Sequence, residues 1–203
     1  MNSVYFSARF HSSAADPRDC PPATREVAFA GRSNAGKSSA INCITRRQKL
    51  ARTSKTPGRT QLINHFTITD DCYLVDLPGY GYAQVSRSKQ KQWRLAMTRY
   101  LVSRKSLQGV VLVVDIRRPL TDADWQLIDL QQQAQVQLHL VLTKSDKLSR
   151  NQAAASVMQA QKQLSEAGVD ATLQPFSALK KTGIDDLHLV LDHWLFDKPL
   201  PED

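Results

Sequence analysis

Four short stretches of this 203-residue chain carry residue types at spacings that suit chemistry on a phosphorylated ligand. The first is Gly31-Arg32-Ser33-Asn34-Ala35-Gly36-Lys37-Ser38, which matches G-x-x-x-x-G-K-S. Glycines let such a loop wrap an oligophosphate with its N–H groups pointing inward. A following helix adds the positive end of its dipole, Lys37 reaches the terminal phosphates, and the Ser38 hydroxyl is a ligand for Mg²⁺. The second is Asp76-Leu77-Pro78-Gly79, a D-x-x-G in which Asp76 is placed to hold Mg²⁺ through water and the Gly79 N–H to meet a γ-phosphate. The third, Thr143-Lys144-Ser145-Asp146, ends a strand-like run. Its Asp146 carboxylate can accept from both N1–H and the exocyclic amine of guanine, while adenine would leave it unpaired. Lys144 can lay its aliphatic stem over the purine face. The fourth, Phe176-Ser177-Ala178, can offer the Ala178 N–H to guanine O6. Together, and in this order, they point to a guanosine triphosphate as ligand.

The elements that must position these loops follow from the pattern. VAFA at Val27 to Ala30 reads as a short strand before the phosphate loop, and a helix begins near Lys37. A strand pair is predicted around 61–69 and 72–76, then a helix from Ser86 to about Ser106 with Trp93, Met97, Tyr100 and Leu101 on one face. GVVLVVD, 109–115, is apolar throughout, as a parallel strand buried on both faces requires. Helices at 121 onward, 151–167 and 184–194 alternate with strands at 137–143 and 172–176, the second of these helices stopping at Gly168. Strands alternating with helices predict an α/β fold with a mostly parallel, six-stranded sheet covered on both faces. Residues 1–21 read as a flexible N-terminal extension, 22–196 as one domain and 197–203 as a short tail.

Between the phosphate loop and D-x-x-G lies Lys55-Thr56-Pro57-Gly58-Arg59-Thr60-Gln61. One threonine here should complete the Mg²⁺ shell, and Thr60 is chosen over Thr56, which suits a turn before Pro57-Gly58. Segments ordered only by a γ-phosphate are how such proteins change state on hydrolysis.

Six segments then carry a family resemblance: GRSNAGKSS, SKTPGRTQLINHF, VDLPGYGYA, DIRRPL, LTKSDKL and SALKKTG. Over about residues 22–196 the chain resembles the EngB (YihA/YsxC) family of TRAFAC-class ribosome-biogenesis GTP-binding proteins. The resemblance implies a Ras-like P-loop G domain and a cytoplasmic role in large ribosomal subunit assembly, with a link to normal cell division and septation. It implies nucleotide contacts from Gly31 to Ser38, from Gly58 through Arg59, Thr60 and Gln61 to Leu62, from Asp76 to Gly79, from Thr143 to Asp146 and from Phe176 to Ala178. Mg²⁺ ligation falls on Ser38 and Thr60.

Ras-like proteins carry Gln after D-x-x-G to orient the attacking water. Here that position is Tyr80, so slow intrinsic hydrolysis is expected, resting on Lys37, Thr60, the Gly79 N–H and Asn34. In related GTPases an Asn at the Asn34 position helps bind K⁺; the alternative is that Asn34 only hydrogen-bonds the loop. Thr143 replaces the commoner Asn of N-K-x-D, and its shorter side chain is expected to make fewer ties to the phosphate loop.

Charge adds a partner. The chain carries 27 basic and 19 acidic residues, a net of +8. From Val27 to Val114 there are 15 basic residues against only Asp70, Asp71 and Asp76, while the remainder is net negative. Arg46, Arg47, Lys49, Arg52, Arg87, Lys89, Lys91, Arg94, Arg99, Arg104 and Lys105 lie outside the phosphate chemistry. Residues 77–114 contain no acid to pair with them within a helix. Contact with ribosomal RNA by the G domain itself is favoured over a merely solvated face. The expected partner is a large-subunit precursor, both rRNA and ribosomal proteins, with no DNA, no membrane and a monomeric chain. The competing expectation is a GTP-controlled protein-interaction module of the division machinery without direct rRNA binding. The first residues lack an apolar core long enough for a secretory signal. Cys20, Cys43 and Cys72 suit neither a disulfide framework nor zinc.

Overall fold

The structure is a computed structural model that describes residues 2–52, 62–81 and 87–200, the side chains of 87, 89 and 90 excepted. In chain order its elements are β1 (Arg9–Ala14), β2 (Arg25–Gly31), α1 (Lys37–Ile44), β3 (Ile63–Thr69), β4 (Cys72–Asp76), α2 (Arg87–Ser103), β5 (Leu107–Asp115), α3 (Asp122–Ala134), β6 (Gln137–Thr143), α4 (Arg150–Glu166), β7 (Thr172–Pro175) and α5 (Ile184–Phe196). Short 3-10 turns occupy Ser3–Ser7, Pro17–Asp19 and Ser145–Lys147.

One sheet of order β1-β3-β4-β2-β5-β6-β7 runs through the molecule. The pairs β2–β4, β2–β5, β5–β6 and β6–β7 are parallel; β1–β3 and β3–β4 are antiparallel. The side-chain period of a strand divides β5 between the two faces. Val110, Leu112 and Val114 pack with Met97, Tyr100, Leu127 and Leu164 of α2, α3 and α4. Val111 and Val113 pack with Ile41, Ile44, Leu187 and Leu191 of α1 and α5. Both faces are covered, which is why this strand reads as an unbroken apolar run.

Two expectations are corrected. The sheet has seven strands, not six, because residues 9–14 of the supposed flexible extension pair along β3, from Arg9 opposite Thr67 to Ala14 opposite Ile63. The turn before it drives Tyr5 into the α1/α5 core, where the ring is fully buried and stacks on His188 at 4.5 Å. Its hydroxyl donates to Asp192 at 2.8 Å, so the buried phenol is hydrogen-bonded as burial requires. The start of the tail is tied as well: Arg25 donates to Asp197 at 2.6 Å and Lys198 to Asp192 at 2.9 Å.

No helix among the described residues is long and apolar enough to cross a membrane. Cys20, Cys43 and Cys72 are free thiols.

Candidate nucleotide site

The loops after β2, β4, β6 and β7 all leave the same edge of the sheet, where parallel α/β sheets carry their ligand sites. Two glycines shape the first. A Cβ on Gly31 would lie 2.6 Å from the Val113 carbonyl oxygen, so only glycine lets β2 run so close to β5. Gly36 sits at φ +103°, in the left-handed region, and turns the chain into α1. Among the described residues no side chain caps that helix start, which leaves its first N–H groups to a ligand. Asn34, exposed, also takes a left-handed conformation at φ +65°.

Three neighbouring segments hold this loop in shape. From the β6 end, Thr143 donates its hydroxyl to the Ala35 carbonyl, with the Val114 carbonyl 2.9 Å away. The short side chain reaches the phosphate loop with this one tie because Gly36 brings the loop backbone against Thr143, whose Oγ1 would be 3.3 Å from a Cβ at Gly36. Lys144, held at φ +60°, donates to the Asn34 carbonyl at 2.7 Å and to Asp115 at 2.8 Å. Asp115 also accepts from Arg117 at 2.7 Å. Burial pushes the Asp115 carboxyl up, but the hydrogen bonds from Arg117 and Lys144 outweigh it and hold it well below the usual carboxylate range. Asp115 and Arg117 lie in DIRRPL, a segment that carried the resemblance without a role. Periodicity offers no signal for them, because they sit in a turn and the partner that ties them to the site, Lys144, comes from the loop after β6.

The third segment follows β4. Leu77 N–H donates to the Phe29 carbonyl at 3.0 Å, and the Ser33 N–H donates to the Tyr80 carbonyl at 2.9 Å. Arg32 and Tyr80 form an isolated parallel bridge, so 76–80 runs on beside the phosphate loop as a continuation of the sheet. Gly79 lies against Gly31 and Ser33. Lys37 pairs with the buried Asp76 carboxylate. Tyr80 is turned away from this surface. Its hydroxyl donates at 2.8 Å to Asp124, fully buried in the first turn of α3, and its ring meets Trp93 at 5.1 Å. Trp93 in turn donates to the Pro78 carbonyl at 3.1 Å. Asp124 is the residue that sequence reasoning missed here. It looks like an ordinary helix-start acid, and it does cap Thr121, but its other oxygen anchors the segment after D-x-x-G.

At the far end of the edge, Asp146 and Ser177 come together. The Ser177 hydroxyl donates to Asp146 at 2.5 Å, which keeps that carboxyl below its ordinary value, and Ser145 N–H donates to the Phe176 carbonyl at 3.1 Å. Ala178 follows, half-buried. Leu77 and Phe176 put their side chains into the core and meet the site only with backbone. Leu62 precedes β3, while Gly58, Arg59, Thr60 and Gln61, like Thr56, lie outside the described residues. Ser38, in the first turn of α1, donates to the Arg52 carbonyl at 3.4 Å.

A phosphate loop, a D-x-x-G strand end and a Lys144/Asp146 loop on this sheet define a Ras-like P-loop GTPase. The family model described as 50S ribosome-binding GTPase matches residues 26–144. The probable GTP-binding protein EngB of Methylobacillus flagellatus is 46% identical over 201 residues, covering 98% of this chain and 96% of the relative. That of Coxiella burnetii is 47% identical over 197 residues, covering 97% and 96%. The crystal structure of a probable GTP-binding protein engB superposes with a TM-score of 0.68 at 21% identity, over 85% of this chain and all of the other. The chain belongs to the EngB family of GTP-binding proteins.

Proposed function

We propose that the chain is a slow GTPase that acts as a nucleotide-controlled switch in large ribosomal subunit assembly, through direct contact with ribosomal RNA. It works in the cytoplasm as a monomer, and normal division and septation depend on it. The observation that carries the reading is α2. This helix follows the segment after D-x-x-G and contains no acid; its exposed Lys91, Arg94 and Arg99, and Lys105 just beyond its end, form no ion pair with any described carboxylate. The match to the 50S ribosome-binding GTPase family points the same way. Leu95 and Val102, exposed on the same helix, favour the second reading, a docking face for a protein of the division machinery.

The slow rate is supported by Tyr80, whose hydroxyl is engaged by Asp124 and is not offered to water. Transition-state charge would instead fall to Lys37, the N–H groups of 34–38 and the Gly79 N–H. Lys37 exchanges the Asp76 carboxylate for phosphate when the nucleotide enters, since one ammonium beside two anions compensates both poorly. The Ser38 hydroxyl and the Asp76 carboxylate are hard oxygen donors that suit Mg²⁺, with Thr60 as the further ligand. Bound there, the ion would neutralise charge on the β- and γ-phosphates. Asn34, exposed beside the loop, is the residue that would help hold K⁺.

Single-turnover hydrolysis of GTP in KCl and in NaCl at matched ionic strength tests this chemistry, with and without large-subunit precursor. Faster turnover in KCl, lost in Asn34→Ala, is expected. Equal rates in both salts under both conditions would remove the K⁺ role.

A further inference from the structure

Between the phosphate loop and the turn after β5 lies a cavity of about 520 Å³. Arg32, Asn34, Asp115, Arg117, Arg118 and Lys144 form most of its wall. Arg32, Asn34 and Lys144 belong to the nucleotide motifs; Arg117 and Arg118 belong to none. Four cationic side chains thus face one carboxylate, and that carboxylate is already shared between Arg117 and Lys144. Arg32 and Arg118 have no carboxylate partner among the described residues. Like charges gathered on one wall raise the local potential and favour an anion from solution.

The turn that presents these arginines is held from several sides. Arg118 N–H donates to the Asp115 carbonyl at 2.9 Å, and Arg117 N–H to the Asp115 carboxylate at 3.1 Å. Ile116 is fully buried, and its N–H donates to the Thr143 carbonyl at 3.0 Å. A ligand therefore meets a surface whose backbone is already ordered, which lowers the entropy cost of binding. The chemistry of the wall narrows the occupant. Its apolar members, Ala35 and Val114, are buried, so nothing receives the aromatic or aliphatic anchor on which protein interfaces depend. Guanidinium forks match the oxygens of a phosphodiester in pairs.

We propose that this cavity docks a backbone phosphate of RNA, with Arg118 as the principal grip and Arg32 and Arg117 beside it. The assignment rests on the rRNA-contact reading above and adds a second contact, distinct from α2 and built partly from the phosphate loop itself. RNA seated here touches Arg32 and Asn34, so its affinity and that of the nucleotide are thermodynamically coupled.

Filter binding of in vitro transcribed large-subunit rRNA to the full chain across a KCl series tests the site, with fluorescent GDP affinity measured in parallel. Arg118→Ala is expected to weaken RNA binding about tenfold and to lower the slope of log K against log salt by about 1, with Arg118→Glu weaker still. GDP affinity should stay unchanged in both. Unchanged RNA affinity in Arg118→Glu, with Arg99→Glu on α2 still weakening it, would overturn the cavity and leave the rRNA reading standing. Absence of RNA binding by the unsubstituted chain at low salt would overturn both. Loss of GDP affinity in Arg118→Ala would place Arg118 in the nucleotide site. Arg118-dependent binding of poly-L-glutamate tighter than that of the RNA would assign the surface to an acidic protein.

Discussion

Asp146 receives the Ser177 hydroxyl and stays ionised at neutral pH, so it faces the base site as an acceptor. In the proposed function that single property selects guanine. Replacing it in Asp146→Asn turns one acceptor oxygen into a donor, which suits the C2 carbonyl of xanthine and opposes the amine of guanine. GTP affinity should fall about a hundredfold while xanthosine triphosphate affinity rises, as read by competition against a fluorescent guanine nucleotide. Unchanged GTP binding would remove Asp146 from the base site. Lys144 acts differently from Asp146: its ammonium braces the Asn34 carbonyl and Asp115, so its work is done on the loop. All of these residues announce themselves in the sequence because their chemistry needs fixed types at fixed spacing. Asp115 and Asp124 do not, because each meets its partner across a tertiary contact.

Among the elements, α2 separates two kinds of basic residue that look alike in the sequence. Arg104 donates to the fully buried Glu26 at 2.6 and 2.7 Å and to the Pro21 carbonyl at 3.0 Å. Tyr100 adds a hydrogen bond to Glu26 at 3.0 Å. Arg104 therefore clamps the helix end to β2 and leaves the set of residues available to RNA. Arg47, which donates to the Phe6 carbonyl at 3.0 Å, and Arg46, stacked over the Phe6 ring at 4.3 Å, help bind the N-terminal turn. Arg104→Ala strands a buried carboxylate and should cost about 3 kcal/mol or more in urea unfolding. Arg99→Glu, on the exposed face, should change stability by no more than about 0.5 kcal/mol and weaken RNA binding instead. If Arg104→Ala unfolds at the same urea concentration, the clamp is not structural. The apolar strands β2, β5 and β6 and the capped helices α3 and α4 were legible because period and caps are local signals. β1 was not: RFHSSA has no apolar alternation, and it is a strand because β3 offers it an edge and Tyr5 anchors it.

At the scale of the whole molecule, buried imidazoles tie stability to pH. His65 and His139 are almost wholly buried, and burial pushes both down to about 4. His139 is held between Thr172 at 2.7 Å and Gln174 at 3.1 Å, whereas neither ring nitrogen of His65 has a hydrogen-bond partner among the described residues. Both are neutral in the fold and titrate near 6.5 when unfolded, so the unfolded chain takes up protons first as pH falls. Their contribution is complete above about pH 6.5 and is lost progressively down to about pH 4, on the order of 3 kcal/mol for each. Urea midpoints measured from pH 7.5 to 4 should fall across that window, and His139→Gln should flatten the fall. A midpoint independent of pH there would contradict the burial argument. The charge asymmetry of the sequence also becomes spatial at this scale. The basic stretch from 27 to 114 carries the phosphate loop, the D-x-x-G segment and α2, while Asp146 and Ser177 lie in the acidic remainder.

In the proposed function nucleotide state governs attachment to the large subunit. Cosedimentation of the full chain with large-subunit precursors tests it most directly, run with a non-hydrolysable GTP analogue, with GDP and without nucleotide, across a salt series. Binding with the analogue that weakens sharply with GDP and falls with rising salt is the predicted result. Equal binding in all three nucleotide conditions would contradict the switch.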